Sequence, residues 1–448
     1  MDVALPLLAA LLVAVAGFGA AALLLRGRRL VSWAELAACS LLLGTLVTTL
    51  LWFAFALVVP GFGARALAGA SAAALGVVGA MAWRTRRPRV EGGRQGILLL
   101  AASVLAIVVA SRSSLGWDGA FIWQMKANAI AAEGGVPWHY LHDDSRAWSH
   151  PIYPLLVPLS RAWLVGAHGA PHQAGAQAAG ALMLVAVIGL LLGPGRRLGQ
   201  GTSLLALATM ACTPLLVAGD GGALSGYADF PLAVYYLGAV LYLLPLRTDE
   251  GARDWPLASA LAAAMPWIKP EGAILWACWL SIAAVTLGAR RWRAAALAGL
   301  PGALVAIGWQ AFSRLAHVET ARVFLHPTAA LLWQRRGLSG EIFATCARLA
   351  LDASQWGLLW PLLLVSLLAW PLWRWSARRH GVLAAAVLLP LPPMVVAYFF
   401  SAWNPVSLHV ESSFGRLLLQ LALPAAALVA AATASALQRV LRPNREAK

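Results

Sequence analysis

Residues 3–25 read VALPLLAALLVAVAGFGAAALLL, an unbroken apolar run without a charged side chain. About 20 such residues in a helix are enough to cross the hydrocarbon core of a bilayer. The run follows Asp2 rather than Lys or Arg, is long for a signal peptide and lacks a convincing cleavage site. We therefore expect a retained membrane helix. Further apolar runs at 181–192 and 381–398 predict further membrane helices.

The composition excludes an ordinary soluble protein. Of the 448 residues, 60% are hydrophobic and only 12% are charged, and the mean hydropathy is +0.73. The sequence contains no GxxxxGK[ST] loop, and its glycine-rich stretches lie inside apolar runs, where close helix packing explains them. We therefore predict an all-α polytopic membrane protein without a nucleotide-binding domain.

The net charge of +16 would indicate nucleic-acid binding in a soluble protein, but its distribution indicates membrane topology instead. Basic clusters separate the apolar runs, and the positive-inside rule assigns such clusters to the cytoplasm. The clusters are Arg26/Arg28/Arg29, 84–94, Arg196/Arg197, Arg247/Arg253, Arg290/Arg291/Arg293, Arg374/Arg378/Arg379 and 439–448. No nucleic-acid partner is expected.

This assignment predicts about thirteen spans, with the N-terminus outside and the C-terminus inside. Residues 154–165 either re-enter the membrane or lie along its surface, and both choices keep the topology. We divide the chain into three accessory helices in 1–94 and a transmembrane core in 95–448, with an outer loop at 111–150. The spans begin near Val3, Leu36, Ala66, Gly96, Gly175, Thr202, Pro231, Pro256, Gly272, Ala294, Gly357, Gly381 and Phe414.

The first outer segment is the richest in polar and aromatic residues: WDGAFIWQMKANAIAAEGG at 117–135, then VPWHYLHDDSRAWSHPIYPLLVPL at 136–159. Asp118 follows directly on a span, where a carboxylate is costly and usually functional. Apolar residues recur after it at helical spacing, which predicts an amphipathic helix on the membrane, with Lys126 on about the same side as Asp118. A helix-capping Asp and an interfacial Lys would give the same pattern without any catalytic role.

Two further motifs follow on the same predicted face. HPIYPLLVPL begins at His150, includes Tyr153 and re-enters apolar sequence without a normal helical start. GYADF, at 226–230, puts Asp229 at the mouth of the next span. Asp229 could serve as a second catalytic or metal-binding acid, or could only cap the helix that starts at Pro231.

Two more motifs bring cations to this face. WIKPEG, at 267–272, interrupts two short spans with Lys269 and Glu271. HVESSFGRLLLQLALP, at 409–424, begins with His409 and puts Arg416 just inside the last span. Glu271 could bind substrate or simply pair with Lys269 or Arg416. Acids and bases from distant parts of the chain therefore converge on one face.

In their order and shared side, WDGAFIWQMKAN, HPIYPLLVPL, GYADF, KPEG and SSFGRLLLQ resemble the polytopic glycosyltransferases of the GT-C class. That class includes bacterial relatives of dolichyl-phosphate-mannose protein mannosyltransferases and lipid A aminoarabinose transferases. The resemblance extends from about residue 96 to the C-terminus and rests on the combination of motifs. It implies a GT-C-like core that transfers a sugar from a polyprenyl-phosphate carrier to an acceptor on the outer side.

The resemblance also implies roles for single residues. Asp118 matches the acid that takes the proton of the acceptor hydroxyl, which is otherwise a poor nucleophile at neutral pH. The departing lipid phosphate needs fixed cations, and the candidates are Lys126, Lys269 and Arg416. The other candidate substrate-binding residues are Asp229, Glu271, His150, Tyr153 and His409.

A metal cofactor is left open. The usual acidic pair after the first span is a single Asp here, because Gly119 follows Asp118, and this departure puts metal dependence in doubt. Asp143 and Asp144, near three histidines, could bind a divalent cation, although a solvated loop explains them as well. We assign no metal ligands, so the cofactor stays unknown.

We expect an inverting glycosyltransferase of a bacterial inner membrane, with its site facing the periplasm. Its partners would be a polyprenyl-phosphate-sugar donor, membrane lipids, and a lipid, envelope glycan or protein as acceptor. A transporter or flippase of a lipid-linked or anionic substrate would use the same basic residues but needs polar groups at mid-membrane, which are scarce here. An envelope glycan polymerase or ligase usually carries its large outer loop late in the chain, whereas here the loop comes early.

Overall fold

Most of the described residues are helical. The computed structural model describes residues 4–25, 28, 30–85, 88–165, 173–244, 254–288, 291–318, 325, 328–369 and 377–440. The first helices are α1 (Ala4–Leu25), α2 (Trp33–Ala56), α3 (Phe62–Thr85), α4 (Gly93–Ser111), α5 (Met125–Glu133), α6 (Trp138–Leu141), α7 (Leu156–Val165), α8 (Gln173–Leu192), α9 (Gln200–Ala211) and α10 (Pro214–Val217). The remaining helices are α11 (Asp229–Leu241), α12 (Trp255–Ile268), α13 (Glu271–Leu287), α14 (Trp292–Leu315), α15 (Ala329–Arg335), α16 (Ser339–Ala350), α17 (Ala353–Trp356), α18 (Leu359–Leu368), α19 (Ala377–Leu388), α20 (Leu391–Val396) and α21 (Val406–Val440).

Strands are nearly absent from the described part of the chain, in agreement with the predicted fold class. The exception is a two-stranded parallel sheet, β1 (Leu30–Ser32) and β2 (Arg89–Glu91), in which Leu30 pairs with Arg89 and Ser32 with Glu91. A π-helix at Gly119–Gln124 and 3-10 turns at Asp144–Ser149, Pro194–Leu198, Arg336–Leu338 and Ala397–Phe400 complete the elements.

Seven described helices are long and apolar enough to cross a membrane. The chain is therefore an integral membrane protein with several membrane-spanning helices. The spans are Leu8–Leu25, Trp33–Ala56, Phe62–Thr85, Gln177–Leu198, Trp292–Leu315, Arg379–Phe400 and Val406–Gln438.

The predicted count of about thirteen spans is not confirmed, because the other predicted spans are short helices. Five of them are apolar helical stretches of 10–17 residues: Gly96–Ala110 within α4, and α11, α12, α13 and α18. The span predicted near Thr202 is the 12-residue helix α9. A 14-residue helix such as α12 is about 21 Å long, whereas the hydrocarbon core is about 30 Å thick. The chain breaks at polar residues such as Lys269, which surrounding protein buries, and membranes tolerate such irregular backbone only when it is shielded from lipid.

The centre of the molecule is built around α11 and α21. Every residue of α11 except Pro231 is buried, and α11 packs against α12 and α21. The 35-residue α21 also packs against α9, α16, α18 and α19. The start of α11 is thereby held beside the middle of α21, where Gln420 contacts Asp229.

The predicted accessory helices share this core. The Tyr235 hydroxyl on α11 donates a 2.6 Å hydrogen bond to the Leu42 carbonyl on α2, and the Trp163 indole donates one of 3.0 Å to the Ala9 carbonyl on α1. Small residues allow α1 and α2 to pack closely, since a Cβ added at Gly17 would lie 1.6 Å from the Ser40 carbonyl oxygen. That these helices are accessory to a core in 95–448 stays a prediction.

Candidate functional site

Asp118 opens a helix that is not a regular α-helix. The π-helix Gly119–Gln124 follows it directly and continues into α5. The Asp118 side chain makes no capping hydrogen bond, so its carboxylate is available to groups from other parts of the chain. π-helical turns occur frequently at functional sites. Ile122, Trp123 and Lys126 are buried, so one side of this segment packs into the protein.

The partner of Asp118 comes from the other end of the chain. The Arg416 guanidinium, on α21, forms an ion pair with the Asp118 carboxylate across a sequence separation of 298 residues. The Asp118 side chain is 19% exposed and that of Arg416 is 25% exposed. This pair is therefore accessible to a ligand, unlike a fully buried structural salt bridge.

A second group of charged side chains lies deeper in the protein than the Asp118–Arg416 pair. The Lys269 ammonium is 2.9 Å from an Asp229 carboxylate oxygen and 3.3 Å from a Glu271 carboxylate oxygen. The Gln420 side-chain amide, one turn beyond Arg416, donates a 2.8 Å hydrogen bond to Asp229. Burial alone would lower the pKa of Lys269, but the Asp229 and Glu271 carboxylates outweigh burial and raise that pKa above its usual range. Lys269 therefore carries its positive charge at neutral pH.

The two charged groups adjoin each other. A Cβ added at Gly221 would lie 3.4 Å from the Arg416 side chain and 3.7 Å from that of Asp229. We call Asp118, Asp229, Lys269, Glu271 and Arg416 the charged cluster. Its three carboxylates and two cations leave one net negative charge. The cluster can accept hydrogen bonds from hydroxyl groups and can also offer cations to an anion.

Tyr153 faces the charged cluster. Burial, and next the Glu271 carboxylate, raise the pKa of its hydroxyl, whereas Lys269 and Arg416 act in the opposite direction. The hydroxyl thus stays protonated at neutral pH and can donate a hydrogen bond. The Tyr153 ring stacks on His150, with ring centroids 4.6 Å apart and an interplanar angle of 9°, so His150 supports the Tyr153 ring.

The structure does not bring Lys126 to the Asp118–Arg416 pair. Lys126 is completely buried, and its ammonium donates to the backbone carbonyls of His150 at 2.9 Å, Pro151 at 3.3 Å and Tyr153 at 3.3 Å. Burial lowers the pKa of Lys126 to about 7. The residue holds the loop that carries Tyr153, a contact that helical spacing alone did not indicate.

His409 lies on α21, two turns before Arg416. Its Nδ1 is 2.8 Å from the Ser401 hydroxyl, and its ring stacks on Trp403 with centroids 5.2 Å apart. Arg416 is among its electrostatic neighbours. The aromatic pair of Trp403 and His409 therefore lies near Arg416 of the charged cluster.

No protein-family model, curated protein or solved structure matches this chain. The resemblance to GT-C enzymes therefore stays a prediction that rests on the sequence motifs. The function must be argued from the chemistry of the charged cluster.

Sequence reasoning missed three residues of the site. Tyr227 lies within the GYADF motif, and the Arg416 guanidinium is 5.7 Å from its ring centroid. Gln420 is the only polar side chain in LLLQLALP and lies four residues after Arg416, a spacing that places both on one helix face and could have identified it. Arg161 carries no comparable sequence signal, because its contacts are with backbone carbonyls of distant residues.

Among the described residues, no three His, Cys, Asp or Glu side chains are arranged to hold a metal ion. In the histidine-rich loop, the Asp143 carboxylate accepts hydrogen bonds from the Ser145 backbone and hydroxyl and from Arg146. These hydrogen bonds, the one from the Ser145 hydroxyl first, lower the pKa of Asp143. Asp143 thus stabilises its own loop.

Proposed function

We propose that the protein is a glycosyltransferase that moves a sugar from a polyprenyl-phosphate carrier to an acceptor hydroxyl. We further propose that the end of the molecule bearing Asp118 faces the non-cytoplasmic side of a bacterial inner membrane. The supporting observation is the charged cluster, in which Asp118, Asp229, Lys269, Glu271 and Arg416 meet from separate segments of a membrane protein. A membrane-embedded enzyme suits a donor whose carrier is a lipid.

Arg416 connects the two halves of the proposed reaction. Without substrate its guanidinium pairs with Asp118. A donor phosphate would compete for this guanidinium, because two phosphate oxygens can accept from it in a bidentate arrangement. Once Arg416 turns to the phosphate, the Asp118 carboxylate is released from the ion pair and can accept a hydrogen bond from the acceptor hydroxyl. Donor binding would therefore activate the base.

The chemical step is a single displacement. Asp118 takes the proton of the acceptor hydroxyl as the oxygen bonds to the anomeric carbon. The bond between that carbon and the phosphate oxygen breaks, and the lipid phosphate leaves as an anion. Arg416 and Lys269 stabilise the added negative charge, since fixed charges act strongly where water is excluded. Displacement at the opposite face inverts the anomeric configuration.

The remaining residues of the cluster suit a sugar. The Asp229 and Glu271 carboxylates accept hydrogen bonds from hydroxyl groups, while the neutral Tyr153 hydroxyl donates one. The Tyr153–His150 stack also presents aromatic surface beside the cluster. A sugar, with its many hydroxyl groups, would therefore meet hydrogen-bonding groups that are already in place.

The distribution of charge favours an enzyme over the transporter alternative. Helix α11 carries no charged side chain after Asp229, and helix α12 carries none between Asp254 and Lys269. Along α2 no charged side chain follows Glu35. A transporter of an anionic substrate needs polar groups along its path.

The test is sugar transfer by purified full-length protein in detergent, with radiolabelled polyprenyl-phosphate sugars as donors and a membrane extract as acceptor. We expect Asp118→Asn to lower the transfer rate by about 10²–10⁴-fold while the protein remains folded. Asp144→Asn, at an exposed acid of the same outer loop, should leave transfer unchanged. Equal transfer by Asp118→Asn and wild type would remove Asp118 from the mechanism. Movement of the labelled lipid across liposomes without transfer would favour the transporter.

A further inference from the structure

Arg161 is a buried cation without an acidic partner. The residue lies on α7 and is 2% exposed. Its Nη1 donates a 3.0 Å hydrogen bond to the Gly119 carbonyl, and its Nη2 donates to the Gly226 carbonyl. Among the described residues, no carboxylate forms an ion pair with it. A cation in such a place is costly, and an apolar side chain would fill the space at lower cost.

The two carbonyls belong to the two segments that carry acids of the charged cluster. Gly119 directly follows Asp118, and Gly226 precedes Asp229 by three residues. One guanidinium therefore joins the start of the π-helix to the loop before α11. Its rigid planar fork fixes both carbonyls in one geometry, which a flexible ammonium cannot do.

The same two segments also touch through their backbones. The Gly116 amide donates a 2.8 Å hydrogen bond to the Ser225 carbonyl. A Cβ added at Gly119 would lie 2.2 Å from that carbonyl oxygen, so only glycine permits the approach. Arg161 adds two hydrogen bonds to this narrow contact, beside the one from the Gly116 amide and the hydrogen bond between the Asp118 backbone and the Tyr227 hydroxyl.

We propose that Arg161 is a positioning residue that sets the spacing between Asp118 and Asp229 by holding the Gly119 and Gly226 carbonyls together. Its importance for sugar transfer rests on the proposed function, whereas its effect on the two segments does not. Arg416 pairs with Asp118 and lies beside Asp229, so a change in their spacing would misplace the guanidinium as well. A displacement of 1 Å in a catalytic arrangement can cost about 100-fold in rate.

The first test needs no substrate. Hydrogen–deuterium exchange is followed by mass spectrometry on full-length wild type, Arg161→Met and Arg161→Lys, with attention to peptides covering 113–121 and 222–228. The matched control is Arg65→Met, because the Arg65 guanidinium also donates to a backbone carbonyl, that of Trp163, outside the charged cluster.

We expect Arg161→Met to accelerate exchange about tenfold in both peptides and to leave α13 unchanged. Arg161→Lys, which keeps the charge and can reach one carbonyl, should give an intermediate effect. The control should leave both peptides at the wild-type rate. Unchanged exchange in the two peptides of Arg161→Met, or an acceleration spread over the whole protein, would overturn the proposal.

The second test separates positioning from a general loss of folding. We expect kcat for sugar transfer to fall about 100-fold in Arg161→Met, with little change in KM for the donor and partial recovery in Arg161→Lys. Full activity in a variant whose two peptides exchange faster would overturn the claim that the spacing held by Arg161 matters for sugar transfer. If wild type transfers no sugar, the proposed function fails by itself, and the exchange result still decides whether Arg161 holds the two segments.

Discussion

Two buried lysines show how surroundings decide what a side chain does. Lys269 lies between the Asp229 and Glu271 carboxylates, which keep it charged. Within the described part of the chain, the neighbours of the Lys126 ammonium are three backbone carbonyls and the Trp123 ring, 6.0 Å away. Burial lowers the pKa of Lys126 to about 7, so Lys126 is the lysine that titrates near neutral pH.

The titration of Lys126 should appear in the pH dependence of stability. Between pH 7 and 10.5, the unfolded chain keeps a proton on Lys126 that the folded chain releases, so the free energy of unfolding rises with pH. Relative to Lys126→Met, wild type should gain about 1.0–1.3 kcal/mol per pH unit from pH 7.5 to 9.5. Denaturant unfolding of both proteins in detergent measures this difference. A difference that stays constant over the range would contradict the prediction.

The π-helix is the element on which the site depends. It begins beside Asp118, and its first residue, Gly119, touches the loop before α11. An α-helical period predicts the apolar positions of this segment but not the wider turn. The position of the Asp118 carboxylate therefore follows from the contact between two elements rather than from helix propensity.

Gly119→Ala tests this contact. A methyl group at this position would meet the Ser225 carbonyl oxygen, so we expect a loss of about 1–3 kcal/mol in the free energy of unfolding. Gly308→Ala on α14 is the matched control, because nothing lies within 4 Å of a Cβ there. Replacing this helical glycine with alanine should stabilise the protein by up to about 1 kcal/mol. Thermal unfolding of both variants measures the difference. Equal changes in the free energy of unfolding would show that the contact between Gly119 and Ser225 contributes little to stability.

Over the whole molecule, charges gather at the two ends of α11. The charged cluster lies at its Asp229 end, and the Tyr242 hydroxyl beyond its other end donates to Glu35 at 2.8 Å. Arg28 pairs there with Glu35 and Asp254, and Arg197 approaches Asp254 at 2.9 Å. The 13 residues of α11 separate the two groups by about 20 Å. The second group ties the start of α2 to that of α12.

Breaking this buried network should destabilise the whole protein. Asp254→Asn removes the carboxylate that Arg28 and Arg197 share, and loss of one partner from a buried ion pair costs about 3–5 kcal/mol. Glu411→Gln is the control, since the Arg348–Glu411 pair has side chains that are 61% and 46% exposed. Such a pair contributes about 0–1 kcal/mol. Equal unfolding midpoints for the two variants would contradict a structural role for the network.

Local patterns predict the class of this protein well. Long apolar runs and few charges indicate membrane helices, because spanning a bilayer depends on the length and composition of one segment alone. The number of spans that the same reasoning gives stays a prediction, since seven described helices are long enough to cross a membrane and others, such as α11 and α12, are shorter. The motifs also drew attention to Asp118 and Arg416, because charges are costly beside apolar runs.

The tertiary structure decides which charged residues pair within the site. Asp118 meets Arg416 across 298 residues, and Asp229 meets Lys269 across 40, because helix packing rather than spacing brings them together. The same packing turns Lys126 towards backbone carbonyls and places Arg161 between two acid-bearing segments. The sequence by itself determined an all-α membrane protein with charged residues at helix ends. Only the fold decided which charges meet, since that depends on the mutual arrangement of distant helices.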